Sequence, residues 1–269
     1  MTVTRIGIPR PISGGVMLSY KCSARCRHCM YACSPQWEAD WISEEILAEG
    51  LAGLARTIQP SPWGPHAISL NHGLHFTGGE PFLNYPLLLR AIEMARELRI
   101  PSLFVETNCA WCRDETTTRD RLAQLKAAGL HGILISVNPF YAEHVPFERT
   151  ERCIQISYEL LSRNVFVYQA EYYRRFRHMG VQGKLPLERY LEHTEGGLAG
   201  QVEMFLMGRA ARQLRPFFPA HPARAYFHEP CRPAFLRNWH NHFDNYGNLV
   251  AGYCGGISLG NWLEIERLV

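Results

Sequence analysis

Between Val16 and about Gln213, short apolar runs of strand character alternate with segments whose apolar residues recur at helical spacing. Six such runs occur, at residues 16–20, 74–77, 103–107, 133–137, 165–169 and 202–206. The segments between them have readable helix ends. Ser43 precedes Glu44 and Glu45, an N-cap followed by carboxylates that favour the positive end of the helix dipole; Ile46, Leu47, Leu51 and Leu54 then form one apolar face. Pro86 suits a first helical turn, with Leu88, Ala91, Ile92 and Ala95 behind it, and a helix over 118–128 meets Gly129, placed to cap it. This alternation predicts repeated β-α units, hence an α/β fold with a parallel sheet. Past Gln213, Pro216, Pro219, Pro222, Pro230 and Pro233 interrupt any long helix, which predicts a compact, loop-rich tail.

The chain has 269 residues, 46% hydrophobic and 20% charged, which suits a folded barrel with a small appendage and excludes a fibre or linker. The formal charge of +3 is mild, and the one basic and aromatic run, at residues 172–178, does not demand a nucleic-acid partner. No apolar run approaches membrane-spanning length and the first residues lack an apolar signal region, so a cytoplasmic protein with no membrane partner is expected. The nine cysteines change the picture. Four of them crowd between Cys22 and Cys33, too unevenly for a disulfide framework, and point to metal in a reducing compartment.

Cys22, Cys26 and Cys29 follow the first strand-like run with three and then two residues between them. Three thiolates on a cubane iron–sulfur cluster leave one iron without a protein ligand, free to bind an amine and carboxylate and to pass one electron. Zinc is the alternative, because clustered cysteines also bind it tetrahedrally and Cys33 supplies a fourth.

The CxxxCxxC spacing after one strand, followed by Thr77, Gly78, Gly79, Glu80 and Pro81 after the next, resembles the radical S-adenosylmethionine (SAM) superfamily over about residues 14 to 213. The resemblance implies a partial (β/α)6 TIM-like barrel in residues 1–213, with 214–269 as a C-terminal extension containing a β-hairpin. It also implies a [4Fe-4S] cluster on Cys22, Cys26 and Cys29, and SAM held by the glycine-rich segment. In a parallel barrel the C-terminal strand ends share one mouth. Candidate cofactor contacts there are His28, Thr77, Gly78, Gly79, Glu80, Asn108, Ser136, Asn138, Gln169 and Arg209. The implied chemistry is reductive cleavage of SAM to a 5′-deoxyadenosyl radical that abstracts a substrate hydrogen, with an external donor such as flavodoxin or ferredoxin.

The tail, with Cys231, a turn at 245–248 and Cys254, resembles the start of a SPASM or twitch extension and makes Cys231 and Cys254 candidates for a second cluster. Two thiolates do not fill a four-ligand site; the missing ligands are expected from Cys33, Cys109, Cys112, Cys153 or a histidine such as His240 or His242, and the alternative is a structural couple. Cys109 and Cys112 form a CxxC that reads either as a redox pair or ligand set at the mouth or as a buried loop around Trp111; Cys153 reads as core. Substrate-side candidates are Glu143, His144 and Glu171, able to donate, accept or shuttle a proton. Two substrate classes are expected, a peptide or protein side chain and a small molecule. Only about twenty residues precede Cys22, which disfavours an appended leader-peptide recognition domain. A non-catalytic zinc-stabilised or electron-transfer protein would leave the Gly78–Gly79–Glu80 segment without purpose.

Overall fold

The computed structural model describes residues 7–194, 198, 204–252 and 256–268. Five parallel strands, β1 (Ser13–Met17), β2 (Gly73–Thr77), β3 (Phe104–Thr107), β4 (Gly132–Ser136) and β5 (Val165–Tyr168), lie side by side in chain order. Helices α1 (Glu44–Leu54), α2 (Tyr85–Glu97), α3 (Glu115–Ala128) and α5 (Phe147–Leu161) fill the crossovers, and the short α4 (Pro139–Ala142) precedes α5. After β5 come α6 (Ala170–His178), α7 (Leu187–His193) and α8 (Arg209–Gln213).

The helix ends follow the local chemistry. Ser43 accepts the Ile46 amide at 3.2 Å, and Gly129, at φ 119°, adopts the left-handed conformation that closes α3. α3 begins three residues before the expected 118 because Asp114 caps it, accepting the Thr117 amide at 2.7 Å. One face of the strands supplies Val16, Leu74, Phe76, Val105, Ile133 and Ile135 to a core shared with Leu47, Leu51, Leu88, Ile92, Leu122 and Leu125 of the helices. The alternate residues, among them Thr77, Glu106, Leu134 and Ser136, line a cavity on the other face.

The sheet is open and continues on its far side. Its order is β5-β4-β3-β2-β1-β6-β7-β8, with β6 (Asn241–Phe243) parallel to β1, and β7 (Asn248–Val250) and β8 (Ser258–Asn261) antiparallel beyond it. The expected strand at 202–206 is not seen where it is described: residues 202 and 203 lie outside the described residues, and Met204, Phe205 and Leu206 form no strand. The sixth parallel strand is β6, from the tail. β1 also starts three residues earlier than its apolar run, because two strand-weakening glycines are required there: a Cβ on Gly14 would stand 2.9 Å from the Asn241 carbonyl oxygen.

The tail is anchored through Trp262, which stacks on Phe243 at 5.4 Å between ring centres. A Cβ on Gly50 of α1 would come within 2.2 Å of the Trp262 ring, so that glycine is the seat for the indole. The β6–β7 turn is tied by Asp244, whose carboxylate accepts the Tyr246 and Asn248 amides at 3.0 and 2.9 Å, with Gly247 at φ 83°.

Candidate active site

A cavity of about 230 Å³ opens among the loops that follow β1 to β4, with Cys22, Cys26, Cys29 and Cys33 on its wall. The cysteine loop and the glycine loop are zipped backbone to backbone. Leu18 N donates to Thr77 O at 3.0 Å, Gly79 N to Ser19 O at 2.8 Å and Glu80 N to Lys21 O at 3.0 Å. No side chain fits between them: a Cβ on Gly78 would lie 2.5 Å from Ser19 O, and one on Gly79 would lie 1.9 Å from Lys21 O. Gly78 also sits at φ 133°, a conformation that favours glycine.

Arg209, at the start of α8, holds the cysteine loop from behind. Its guanidinium donates to the carbonyls of Cys26, Ala32 and Cys33 at 2.7, 2.7 and 2.8 Å, and its amide donates to Cys29 O at 3.0 Å. Gly208 lets α8 approach, since a Cβ there would meet Met30 O at 2.1 Å. A guanidinium can satisfy several carbonyls at once in a fixed fork.

The thiols are not equivalent. Burial pushes Cys22 up to about 12 and holds Cys26 well above the ordinary thiol value. Cys29, less buried, is drawn down to about 6, chiefly by hydrogen bonding to the Cys33 thiol and then by the Cys33 and Tyr31 amides. Asn108 donates through Nδ2 to Cys22 Sγ at 3.6 Å and to Ser23 Oγ at 3.1 Å, joining the cysteine loop to the end of β3. Among the described residues, two sets of three metal-binding groups have donor atoms all within 4.8 Å of one another; Cys22, Cys26 and Cys29 stand wider apart and are not one of them.

His28 is stacked on Phe140 and edge-on to Tyr141, both at 4.9 Å. Burial, then the positive charge of Arg209, pushes its pKa down to about 3, so the imidazole is neutral. Its Nε2 lies 3.3 Å from Asn138 Nδ2, and its Nδ1 is buried with no protein partner. Asn138 caps α4 through Oδ1 and also donates to Gln169 Oε1 at 3.1 Å.

Of the sequence-derived candidates, His28, Thr77, Gly78, Gly79, Asn108, Ser136 and Asn138 line the cavity. Glu80, Gln169 and Arg209 stand behind it. Glu80 is fully buried and accepts from Thr107 Oγ1 at 3.0 and 3.1 Å, Asn108 N at 2.9 Å and Phe82 N at 3.2 Å. It is a strut between the loops after β2 and β3, and burial raises its pKa to about 7 against those hydrogen bonds. Gln169, at φ 62°, starts α6.

The substrate-side candidates lie off the cavity wall. Glu143 is ion-paired with Arg27 at 2.8 Å, His144 is half-buried beside it, and Glu171 is exposed on α6. Cys231 is exposed before α9 (Arg232–Phe235), and Cys254 lies outside the described residues.

Cys153 is core, as its place on an apolar helix face implies. It joins Cys109 and Cys112 as one of the two close sets, fully buried and away from the cavity, while His75, His240 and His242 form the other. Glu106, Arg237, Trp239, His240 and His242 also line the cavity. Sequence reasoning offered His240 and His242 only as ligands for a second cluster in the tail and did not place them on this wall. The signal was an alternating His-x-His at 240–242, legible only once β6 is known to sit beside β1.

No protein-family model matches the sequence, and no curated protein matches it. Among solved structures, native anSMEcpe with bound AdoMet and Kp18Cys peptide is similar at 15% identity and TM-score 0.42, over 64% of this chain and 49% of that one. BtrN in complex with AdoMet and 2-DOIA is similar at 12% identity and TM-score 0.48, over 96% of this chain and 80% of that one. SuiB of Streptococcus suis, bound to S-adenosylmethionine, is similar at 14% identity and TM-score 0.40, over 95% and 64%. This chain therefore spans about half the length of the first. Likenesses this distant assign neither a reaction nor a ligand to it.

Proposed function

We propose that this chain is a radical SAM enzyme, with a [4Fe-4S] cluster on Cys22, Cys26 and Cys29 and SAM beside it. The observation that carries this is the zipping of the cysteine loop onto the glycine loop along the wall of one cavity. The residues suit these groups. A single zinc ion with bonds of about 2.3 Å needs sulfurs roughly 3.8 Å apart. The wider stance of the three cysteines suits a multi-iron cube instead. The glycines leave bare backbone at the cavity, and the buried, unpartnered Nδ1 of the neutral His28 is a polar atom that a bound nucleoside can satisfy.

When bound, the cluster and SAM supply a one-electron cleavage of a carbon–sulfur bond, giving a 5′-deoxyadenosyl radical that takes a substrate hydrogen. The chain's own residues set the stage. Arg209 and Asn108 fix where the three sulfurs stand, and Glu80 locks the second and third loops together. The buried ring of Phe140 and the His28 ring stacked on it make a dry, flat wall for an adenine. A flavodoxin or ferredoxin supplies the electron, in the cytoplasm; no helix among the described residues is long and apolar enough to cross a membrane. The hydrogen donor is a peptide or protein side chain in the first reading and a small molecule in the second. In either, a polar group of the substrate reaches the wall of Glu106, Arg237 and His242.

The test is anaerobic reconstitution with iron and sulfide, then dithionite and SAM. 5′-Deoxyadenosine is the expected product. A chain that holds its cluster and yields none refutes the proposal.

A further inference from the structure

The histidine-lined wall of the cavity is built around one missing side chain. On adjacent strands, His75 of β2, Gly15 of β1 and His242 of β6 stand in a single register row. A Cβ on Gly15 would come within 2.1 Å of His75 Nε2 and 2.8 Å of His242 Cδ2, so the two imidazoles meet above the bare glycine. His75 Nε2 lies 3.4 Å from His242 Nε2 and 3.3 Å from Glu106 Oε1. His240 completes the group, with donor atoms of the three histidines all within 4.8 Å.

These contacts are poor hydrogen bonds. N–H···O and N–H···N bonds prefer about 2.9–3.0 Å, and the single hydrogen of a neutral His75 Nε2 cannot serve Glu106 and His242 together. They are good ligand edges: donor atoms bound at about 2.1 Å to one ion stand roughly 3.0–3.4 Å apart.

The surroundings prepare lone pairs rather than charges. His240 Nδ1 lies 2.9 Å from the Leu70 carbonyl, which fixes its hydrogen there and leaves Nε2 bare. Its backbone is held at φ 50°, unusual for a non-glycine residue, with its amide donated to Ser13 Oγ at 2.7 Å. Thr77 Oγ1 donates to Glu106 Oε2 at 2.8 Å, leaving Oε1 toward His75.

We infer that His75, His240 and His242, with Glu106 beside His75, form a mononuclear site for a first-row divalent transition metal ion, separate from the cysteine loop and on the wall of the same cavity. Three imidazoles suit Zn²⁺, Fe²⁺ or Co²⁺ over Mg²⁺ or Ca²⁺. Glu106, His240 and His242 line the cavity beside Arg237, so the ion offers an anionic or carbonyl group of the substrate an electrophilic anchor in the cavity that the cysteines also line.

Metal binding tests this without the SAM reaction. The chain carrying Cys22→Ala, Cys26→Ala and Cys29→Ala, stripped with a chelator, is titrated anaerobically with Co²⁺. One ion per chain is expected, with visible ligand-field bands, no thiolate charge-transfer bands, and displacement by Zn²⁺. His75→Ala/His242→Ala and Gly15→Ala, the latter keeping every ligand residue but pushing the imidazoles apart, should each weaken binding at least tenfold while circular dichroism stays native. The same pair of substitutions in the wild-type chain, grown with added zinc, should lower non-iron metal by one ion per chain by mass spectrometry; this decides the matter if the triple variant does not fold. Unchanged binding in the histidine variants, thiolate bands that put the ion on Cys109, Cys112 and Cys153, or no binding in a folded chain would overturn the assignment.

Discussion

Two sets of cysteines lie in this barrel, and they differ in what they face. Cys22, Cys26, Cys29 and Cys33 border a cavity; Cys109, Cys112 and Cys153 face only protein. The second set is sealed by Trp111, stacked on Phe82 at 3.9 Å and donating to Thr107 Oγ1 at 3.0 Å, while Arg149 and Arg152 take the carbonyls of Ala110 and Cys112. Thiol density is the same in kind in both places. Access, and the bare glycine backbone beside it, sets the first apart as the place for a reaction.

The sharpest way to break that contrast is to remove each set in turn. Cys22→Ala/Cys26→Ala/Cys29→Ala should abolish reconstituted iron and all 5′-deoxyadenosine formation. Cys109→Ala/Cys112→Ala/Cys153→Ala should keep both and cost stability alone, a few kcal/mol for three small buried side chains. Iron counted per chain in the two variants checks it; equal loss from both would erase the distinction.

The next effect concerns the strut that joins the two regions. Glu80 has a folded pKa of about 7 against an ordinary 4.5, raised by burial. A carboxyl with a raised folded pKa keeps its proton longer when folded, so its stabilisation is full below 4.5 and is lost as pH rises through about 7. The change is about 3 kcal/mol over that window. His28, held neutral with a pKa of about 3, has the opposite slope, gaining stability as pH rises toward 6.5. The Glu80 contribution is therefore read as the difference between wild type and Glu80→Gln in denaturant unfolding at pH 4.5 and pH 7.5. The variant should lack the downward slope; parallel curves would show that Glu80 ionises normally.

Much of the barrel was legible because its signals are local. Ser43 and Gly129 announce helix ends within a few residues, and the five apolar runs become β1 to β5 with shifted edges. The cysteine and glycine loops were legible for the same reason. What escaped was long-range pairing. Glycines at 14 and 15 argue against a strand until β6, more than 220 residues later, is seen to press on them. His75 reads as one polar residue inside a buried strand, and only the β2-β1-β6 order brings it to His242. Glu80 looked like a cofactor contact because its loop is at the mouth, yet its carboxylate turns inward to Thr107 and Asn108.

The smallest expected effect lies within the cavity set itself, between Cys29 and Cys33. Cys33 is the fourth thiol that a zinc site would recruit, and a cube on three cysteines leaves it out. In the iron-free chain Cys33 lowers Cys29, whose thiol is drawn down to about 6 mainly through hydrogen bonding to Cys33, against an ordinary value of 9.0. Cys33→Ala should thus retain iron and 5′-deoxyadenosine formation and change only the titration of its neighbour. In the iron-free chain, the midpoint for alkylation of Cys29 by iodoacetamide, followed by peptide mass spectrometry, should move up from about 6 toward 9, because the donor that stabilises the thiolate is gone. Cys109, with its thiol raised by burial, should stay unmodified in both chains while they remain folded. Loss of iron in Cys33→Ala would make it a ligand and turn the open-iron reading back toward a closed four-thiolate site.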